Sequence, residues 1–183
     1  MEYSEEIKQE ELISGEIPVS ELASKLQLKA DKLSLLTTDS ALVLPDNTSM
    51  DGPAGEAVFF HEDAKELMFV LKNAGIPAQL YDDGRSKKSI QWRSATVVLP
   101  TLLFAGKAIC AGGLGALGTW ITNKWLKAQQ QEQPTIKARW ILFENGMIKE
   151  WVSVEGPAKK IVEVLRKRNG NDGPNPPRKR IGR

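Results

Sequence analysis

Gly113-Leu114-Gly115-Ala116-Leu117-Gly118 has the glycine spacing that lets a dinucleotide pyrophosphate approach the N-terminus of a helix. That chemistry needs a strand directly before the first glycine and an acidic residue further on for the ribose. Here the nearest strand candidate ends at Leu99, and the acidic residue that follows is Glu132, inside a Gln-rich stretch. The glycines are therefore read as close helix packing, and no cofactor is expected. His61 beside Glu62 and Asp63 offers the residue types of a carboxylate-oriented general base, but at a helix start it reads as a surface or capping residue. Cys110 sits among Ala108, Ile109, Ala111 and Gly112, an apolar setting that raises a thiol pKa and suits a small buried hydrophobe better than a nucleophile. One Cys and one His cannot build a four-ligand zinc site or a disulfide within one chain. No catalytic residue and no metal site are expected, and the chain reads as non-enzymatic.

Residues that bind rather than react are easier to find. Trp120, Lys124 and Trp125 place two indoles and an ammonium within two helical turns, and Arg178, Lys179 and Arg180 form a basic cluster near the C-terminus. These six are the candidate partner-binding residues. The basic cluster can meet nucleic acid, anionic lipid or an acidic partner through charge alone. Specific nucleic-acid recognition is not expected: SELASKLQLKADKLSLL, residues 20–36, resembles a pair of helices, but the second lacks Arg, Asn or Gln to read base edges.

The elements that would position these residues divide the chain into four parts. Residues 1–36 read as an N-terminal helical extension with eight acidic and four basic side chains, in which Pro18 and Ser20-Glu21 open the first of two short helices. Residues 37–55 turn to Thr, Ser, Asp, Asn, Pro and Gly and read as a linker, with Ala41-Leu42-Val43-Leu44 its one strand candidate. Residues 56–168 are the expected α+β core. Ala57–Phe60 followed by the helical pattern from Glu62 to Gly75 and the extended run Pro77–Tyr81 suggests strand-helix-strand, with Asp83 to Lys88 as turn material. Ile136–Phe143 and Met147–Val154, joined by Asn145-Gly146, predict a β-hairpin, and Gly156-Pro157 opens an amphipathic helix carrying Ile161, Val162, Val164 and Leu165. Residues 169–183 form a basic tail too polar to order itself. The expected fold is α+β: a small mixed sheet with a C-terminal hairpin, packed against a long Gly-rich apolar helix and amphipathic helices.

The helix bearing the tryptophans belongs to a segment, Ala95 to Ile121, with one charge, Lys107, and enough length to span a bilayer. Membrane insertion would put the strands before it and the hairpin after it in different compartments, each half with too few strands to stand alone. The preferred reading is a strand, Thr96–Leu99, leading into a buried helix from about Leu102 to Gln130. The competing one is a membrane-contacting or membrane-perturbing component that uses residues 95–121, placed in the inner membrane through a single segment of about 96–121. The acidic N-terminal MEYSEEIKQEE is unlike a secretory signal and the unpaired Cys110 suits a reducing compartment, so a cytoplasmic location is expected.

Taken in order, AGGLGALGTWITNKWLKAQ followed by TIKARWILFENGMIKEWVSVEGPAKKIVEVLRK is a glycine-rich stretch running into a Trp/Lys helix, then strand, turn, strand and short final helix. This order, from about Ala57 to Lys167, resembles the effector-associated constant component family of bacterial conflict systems. The resemblance implies an adaptor or regulatory component in antiviral defence that couples recognition of an invader to an effector encoded nearby, such as a protease or another toxic domain. It defines no functional residues to carry over; the docking surface expected for such an adaptor is the N-terminal helices or the exposed end of the Trp120–Trp125 helix. An oligomer is compatible with the chain, and in the membrane-perturbing alternative it would form through the glycines of residues 95–121.

Overall fold

The computed structural model describes residues 7–11, 15–34, 39–46, 57–91, 95–127 and 133–169. In chain order the elements are β1 (Lys8–Glu11), β2 (Ile17–Pro18), α1 (Val19–Lys25), α2 (Ala30–Ser34), β3 (Ala41–Val43), β4 (Ala57–His61), α3 (Ala64–Asn73), β5 (Ala78–Leu80) and β6 (Ser86–Ile90). They continue with β7 (Thr96–Val98), β8 (Leu102–Ala105), α4 (Lys107–Ile121), a π-helical turn (Thr122–Leu126), β9 (Thr135–Glu144), β10 (Met147–Pro157) and α5 (Ala158–Arg168). The fold is the expected α+β arrangement of a mixed sheet and packed helices.

The hairpin forms as its sequence predicts: Asn145 and Gly146 take φ of 53° and 77°, the paired positive values of a tight turn between twisted strands. β9 and β10 pair antiparallel from Glu144↔Met147 to Thr135↔Pro157, with Lys149 as the extra residue of a bulge. Lys149 pairs with Glu16, fastening the bulge to the residue before β2. The sheet is ordered β1-β10-β9-β8-β3-β5, with β2 also on β10 and β7 also on β9. β8 and β9 run parallel, so the chain must cross over between them, and α4 is that crossover.

The apolar segment 95–121 divides differently from the expected strand and single helix. Thr96–Val98 is a strand as predicted, but Leu102–Ala105 forms a second one, and the helix begins only at Lys107 after Gly106 turns the chain at φ 108°. All four residues of β8 are buried, so both faces of the sheet centre are covered, and such a strand reads as continuous apolar sequence without alternation. That is why Leu102-Leu103-Phe104-Ala105 passes for the start of a helix. Among the described residues no helix is long and apolar enough to cross a membrane.

Two features place the remaining helices. Ala158, Ile161, Val162 and Leu165 recur at helical spacing and bury one face of α5, while Arg166, Lys167 and Arg168 occupy its last turn, where a cation complements the helix dipole. Arg168 Nη1 donates to Glu150 Oε1 (2.6 Å), and Trp140 Nε1 donates to the same oxygen (3.1 Å). This fixes the end of α5 on the hairpin. The glycines of α4 let α5 and the sheet come close: Gly113 lies under the Phe104 ring and Gly118 faces Leu165 and Val162. Burying Leu102, Leu103 and Phe104 contributes about 1.5–3 kcal/mol for each side chain.

Several elements depart from the expected organisation. The segment 37–55 contains β3, which is fully buried and lies between β8 and β5. Within 1–36, the two short helices appear as read, but Lys8–Glu11 is a strand on the edge of the sheet, paired with β10. The expected strand-helix-strand exists as β4-α3-β5, yet its strands enter different sheets: β5 joins β3, whereas β4 pairs parallel with β6. β6 is the run Ser86-Lys87-Lys88-Ser89-Ile90, mostly within the expected turn; four of its residues are exposed, so no apolar alternation marks it.

The N-terminal helices are fastened to this region by a polar cluster. The side chain of Asp83 is buried and receives Arg85 Nε (2.8 Å), Arg85 Nη2 (2.6 Å) and Tyr81 Oη (3.0 Å). Tyr81 Oη in turn accepts from the backbone N–H of Lys29 (2.8 Å), and Arg85 Nη2 donates to the carbonyl of Gln27 (3.2 Å). The Arg85 hydrogen bonds hold the Asp83 carboxyl down at about 2, against the opposing effect of burial.

Candidate functional site

The site lies where α4 ends. Thr119 and Thr122 return their hydroxyls to the carbonyls of Gly115 (3.1 Å) and Gly118 (2.8 Å), the back-bonding that bends helices. From Thr122 the helix widens into a π turn, in which the Lys127 N–H donates to the Thr122 carbonyl (2.9 Å), five residues back. The widening matters for side chains. Residues five apart on an α-helix point about 140° away from each other, whereas the π register turns them closer to one face. Trp120 and Trp125 are five apart, and their rings meet edge to face with centroids 5.3 Å apart at 75°.

Lys124 is held beside both rings, its Nζ 5.0 Å from the Trp120 centroid and 5.4 Å from that of Trp125. Its ammonium donates to Asp63 Oδ1 (2.7 Å) and Glu66 Oε2 (2.8 Å), while Trp120 Nε1 donates to Glu66 Oε1 (2.9 Å). Asp63 stands at the start of α3 and Glu66 in its first turn, where carboxylates are favoured by the helix dipole. Hydrogen bonds from Lys124 and Trp120 push the Glu66 pKa below its ordinary value. Burial works against the charge of Lys124, but its bonds to Asp63 and Glu66 outweigh that and raise its pKa. The cluster sets an ammonium between two carboxyl groups and two indoles, open to solvent on the Glu66 side.

Lys124 and Trp125 also form one wall of a cleft of ≈ 420 Å³ between the small β4-β6 sheet and β7, lined in addition by His61, Asp63, Ile90 and Val97. His61 is not the surface or capping residue expected: it ends β4, is 4% exposed, and its Nε2 lies 3.4 Å from Asp46 Oδ2. The same oxygen lies 3.3 Å from Arg139 Nη2, so a buried carboxylate joins an imidazole at the cleft to a guanidinium on β9. The arrangement can hold a polar or charged group of a partner between His61 and the Lys124-Trp125 wall, with a rigid indole to bury an apolar stem.

Trp120, Lys124 and Trp125 thus come together, whereas Arg178, Lys179 and Arg180 lie outside the described residues. Asp63 and Glu66 are missed as partners of Lys124. Their spacing of three at a helix start puts them on one face, but nothing local says which cation that face meets. The glycines 113, 115 and 118 lie inside α4, well past its first residue Lys107, so they do not form the phosphate cradle their spacing spells. Cys110 is buried as expected, and its thiol is pushed up to about 12, by burial first and then by the Glu150 charge, against the opposing effect of Arg168.

Fold and cleft together define an α+β protein whose crossover helix ends in an aromatic-acidic cluster beside a cleft between two sheets. Comparison with protein-family models, curated proteins and solved structures finds no match.

Proposed function

We propose that the protein is an adaptor or regulatory component of a bacterial defence system, which docks an effector encoded beside it through the cleft at the end of α4. The observation that supports this reading is the convergence of Trp120, Lys124 and Trp125 on one wall of that cleft. Indoles held in one geometry by neighbouring charges are typical anchors of protein interfaces, since little side-chain freedom is lost when a partner covers them. The order of elements from Ala57 to Lys167, similar to that of effector-associated constant components, supplies the biological setting.

The test is recovery of the tagged protein from its native host before and during phage infection, followed by identification of what accompanies it. The product of a neighbouring effector gene should be recovered with the wild-type chain and lost, at least tenfold, with Trp125→Ala. Recovery of no effector-like protein under either condition would dispose of the adaptor reading. Release of dye from anionic liposomes by the purified chain would instead favour a membrane-perturbing role.

A further inference from the structure

The group that Lys124 supplies to its own surroundings is the kind of group those surroundings are built to receive. Two indoles at 75° with an ammonium about equally distant from both, and two carboxylates within hydrogen-bond reach of it, make a cage for an organic cation. Three of the four walls, Trp120, Asp63 and Glu66, stand on α3 and α4, which pack against each other. The fourth wall, Trp125, and the occupant, Lys124, stand on the π turn. That turn is a local departure from α-helix, a form found mostly as single turns and frequently at functional sites. Reverting it to α geometry would rotate Trp125 away from Trp120 and open that side of the cage, while Lys124, four residues after Trp120, would stay on the Trp120 face. The occupant is also next to an exit, because Lys124 and Trp125 line the ≈ 420 Å³ cleft.

We infer that the end of α4 is a binding site for a primary alkylammonium group, such as a lysine side chain of a partner, and that Lys124 fills it in the free protein as an intramolecular plug. The carboxylates select among cations. Asp63 Oδ1 and Glu66 Oε2 each accept an N–H from Lys124, and a quaternary ammonium has none to give. The inference deepens the docking reading by naming the group the cleft would take, yet its test needs no partner.

The experiment uses the full-length chain with Lys124→Ala and n-butylammonium chloride as the probe, monitored by tryptophan fluorescence and by the thermal unfolding midpoint. Sodium chloride at equal ionic strength and n-butanol serve as controls. Lys124→Ala should show saturable, cation-specific stabilisation, with binding at least tenfold tighter than in the wild type, whose cage is filled. Tetramethylammonium should bind at least fivefold more weakly. Adding Asp63→Asn and Glu66→Gln to Lys124→Ala should abolish the response. Lys124→Gln keeps part of the stem without the charge and should show a smaller response of the same specificity, which covers the case in which Lys124→Ala does not fold. Equal responses in wild type and Lys124→Ala, a response retained without the carboxylates, or equal binding of tetramethylammonium would each overturn the inference. None of these results depends on whether an effector is recovered from the host, so the cage and the adaptor role can fail separately.

Discussion

Gly113→Ala and Gly112→Ala, one residue apart on the same helix, should change stability in opposite directions. Alanine is favoured over glycine inside a helix by about 1 kcal/mol, which both substitutions gain. At Gly112 the new methyl group would meet only Ile76 Cδ1 at 3.6 Å, ordinary contact, so that variant should be stabilised by about 0.5–1 kcal/mol. At Gly113 it would fall 2.2 Å from Phe104 Cε1 and 2.6 Å from Cζ. The ring cannot swing aside readily, since Phe104 is completely buried in β8 between β3 and β9. Overpacking of this kind costs about 1–3 kcal/mol, and with so short a contact the upper end applies, leaving Gly113→Ala about 2 kcal/mol less stable than wild type. Equilibrium unfolding in urea measures both, with unchanged slopes showing that the denatured states are comparable. Phe104→Leu combined with Gly113→Ala should recover about 1 kcal/mol relative to the sum of the single changes, because the shorter side chain leaves room. If Gly113→Ala proved as stable as Gly112→Ala, the close approach of α4 to the sheet described above would be wrong.

Two further outcomes follow from polar and titratable groups. The folded-state pKa of Asp83, about 2, lies below its ordinary value of 3.8, so the stability it contributes is present above about pH 4 and is lost as the pH falls through about 2. Asp83→Asn should therefore remove about 2 kcal/mol at neutral pH and flatten the decline between pH 4 and 2, as read by denaturant titrations across that range. Cys110 is the only cysteine, and with its thiol pushed up to about 12 it should react with a disulfide reagent at pH 8 only as fast as the protein opens. One equivalent should be labelled at once in denaturant, and rapid labelling of the native chain would contradict its burial.

The parts of the fold that local pattern determines were readable. Asn145-Gly146 between two β-branched runs defines a hairpin because its backbone angles and its register are set by the same two residues. The two short helices of residues 1–36 and the apolar spacing that orients α5 were likewise legible. What escaped were elements whose environment is remote in sequence. β1 is four exposed polar residues that are a strand only because β10 offers an edge, and β6 is a strand only because β4 lies beside it. At the site, Trp120, Lys124 and Trp125 could be picked out by type, and an α-helical reading already puts Trp120 and Lys124 on one face, but the meeting of Trp120 with Trp125 depends on the π turn, which that reading does not contain. His61 illustrates the limit most simply: Glu62 and Asp63 are its neighbours in sequence, while the carboxylate that faces it is Asp46.

The placing of β9 also constrains how the chain is made. It is the strand against which β7, β8 and β10 all pair, and β10 in turn receives β1 and β2, yet both hairpin strands follow every other described strand in the chain. Strand pairing between the two halves must therefore wait until the last part of the described chain has left the ribosome. At about 5–20 residues per second, the apolar strand Leu102–Ala105, whose other partner β3 is already made, keeps one edge unpaired for several seconds before β9 follows. Lys8–Glu11, the earliest of the described strands in sequence, would then add last, as a charged outer edge of an otherwise adhesive sheet.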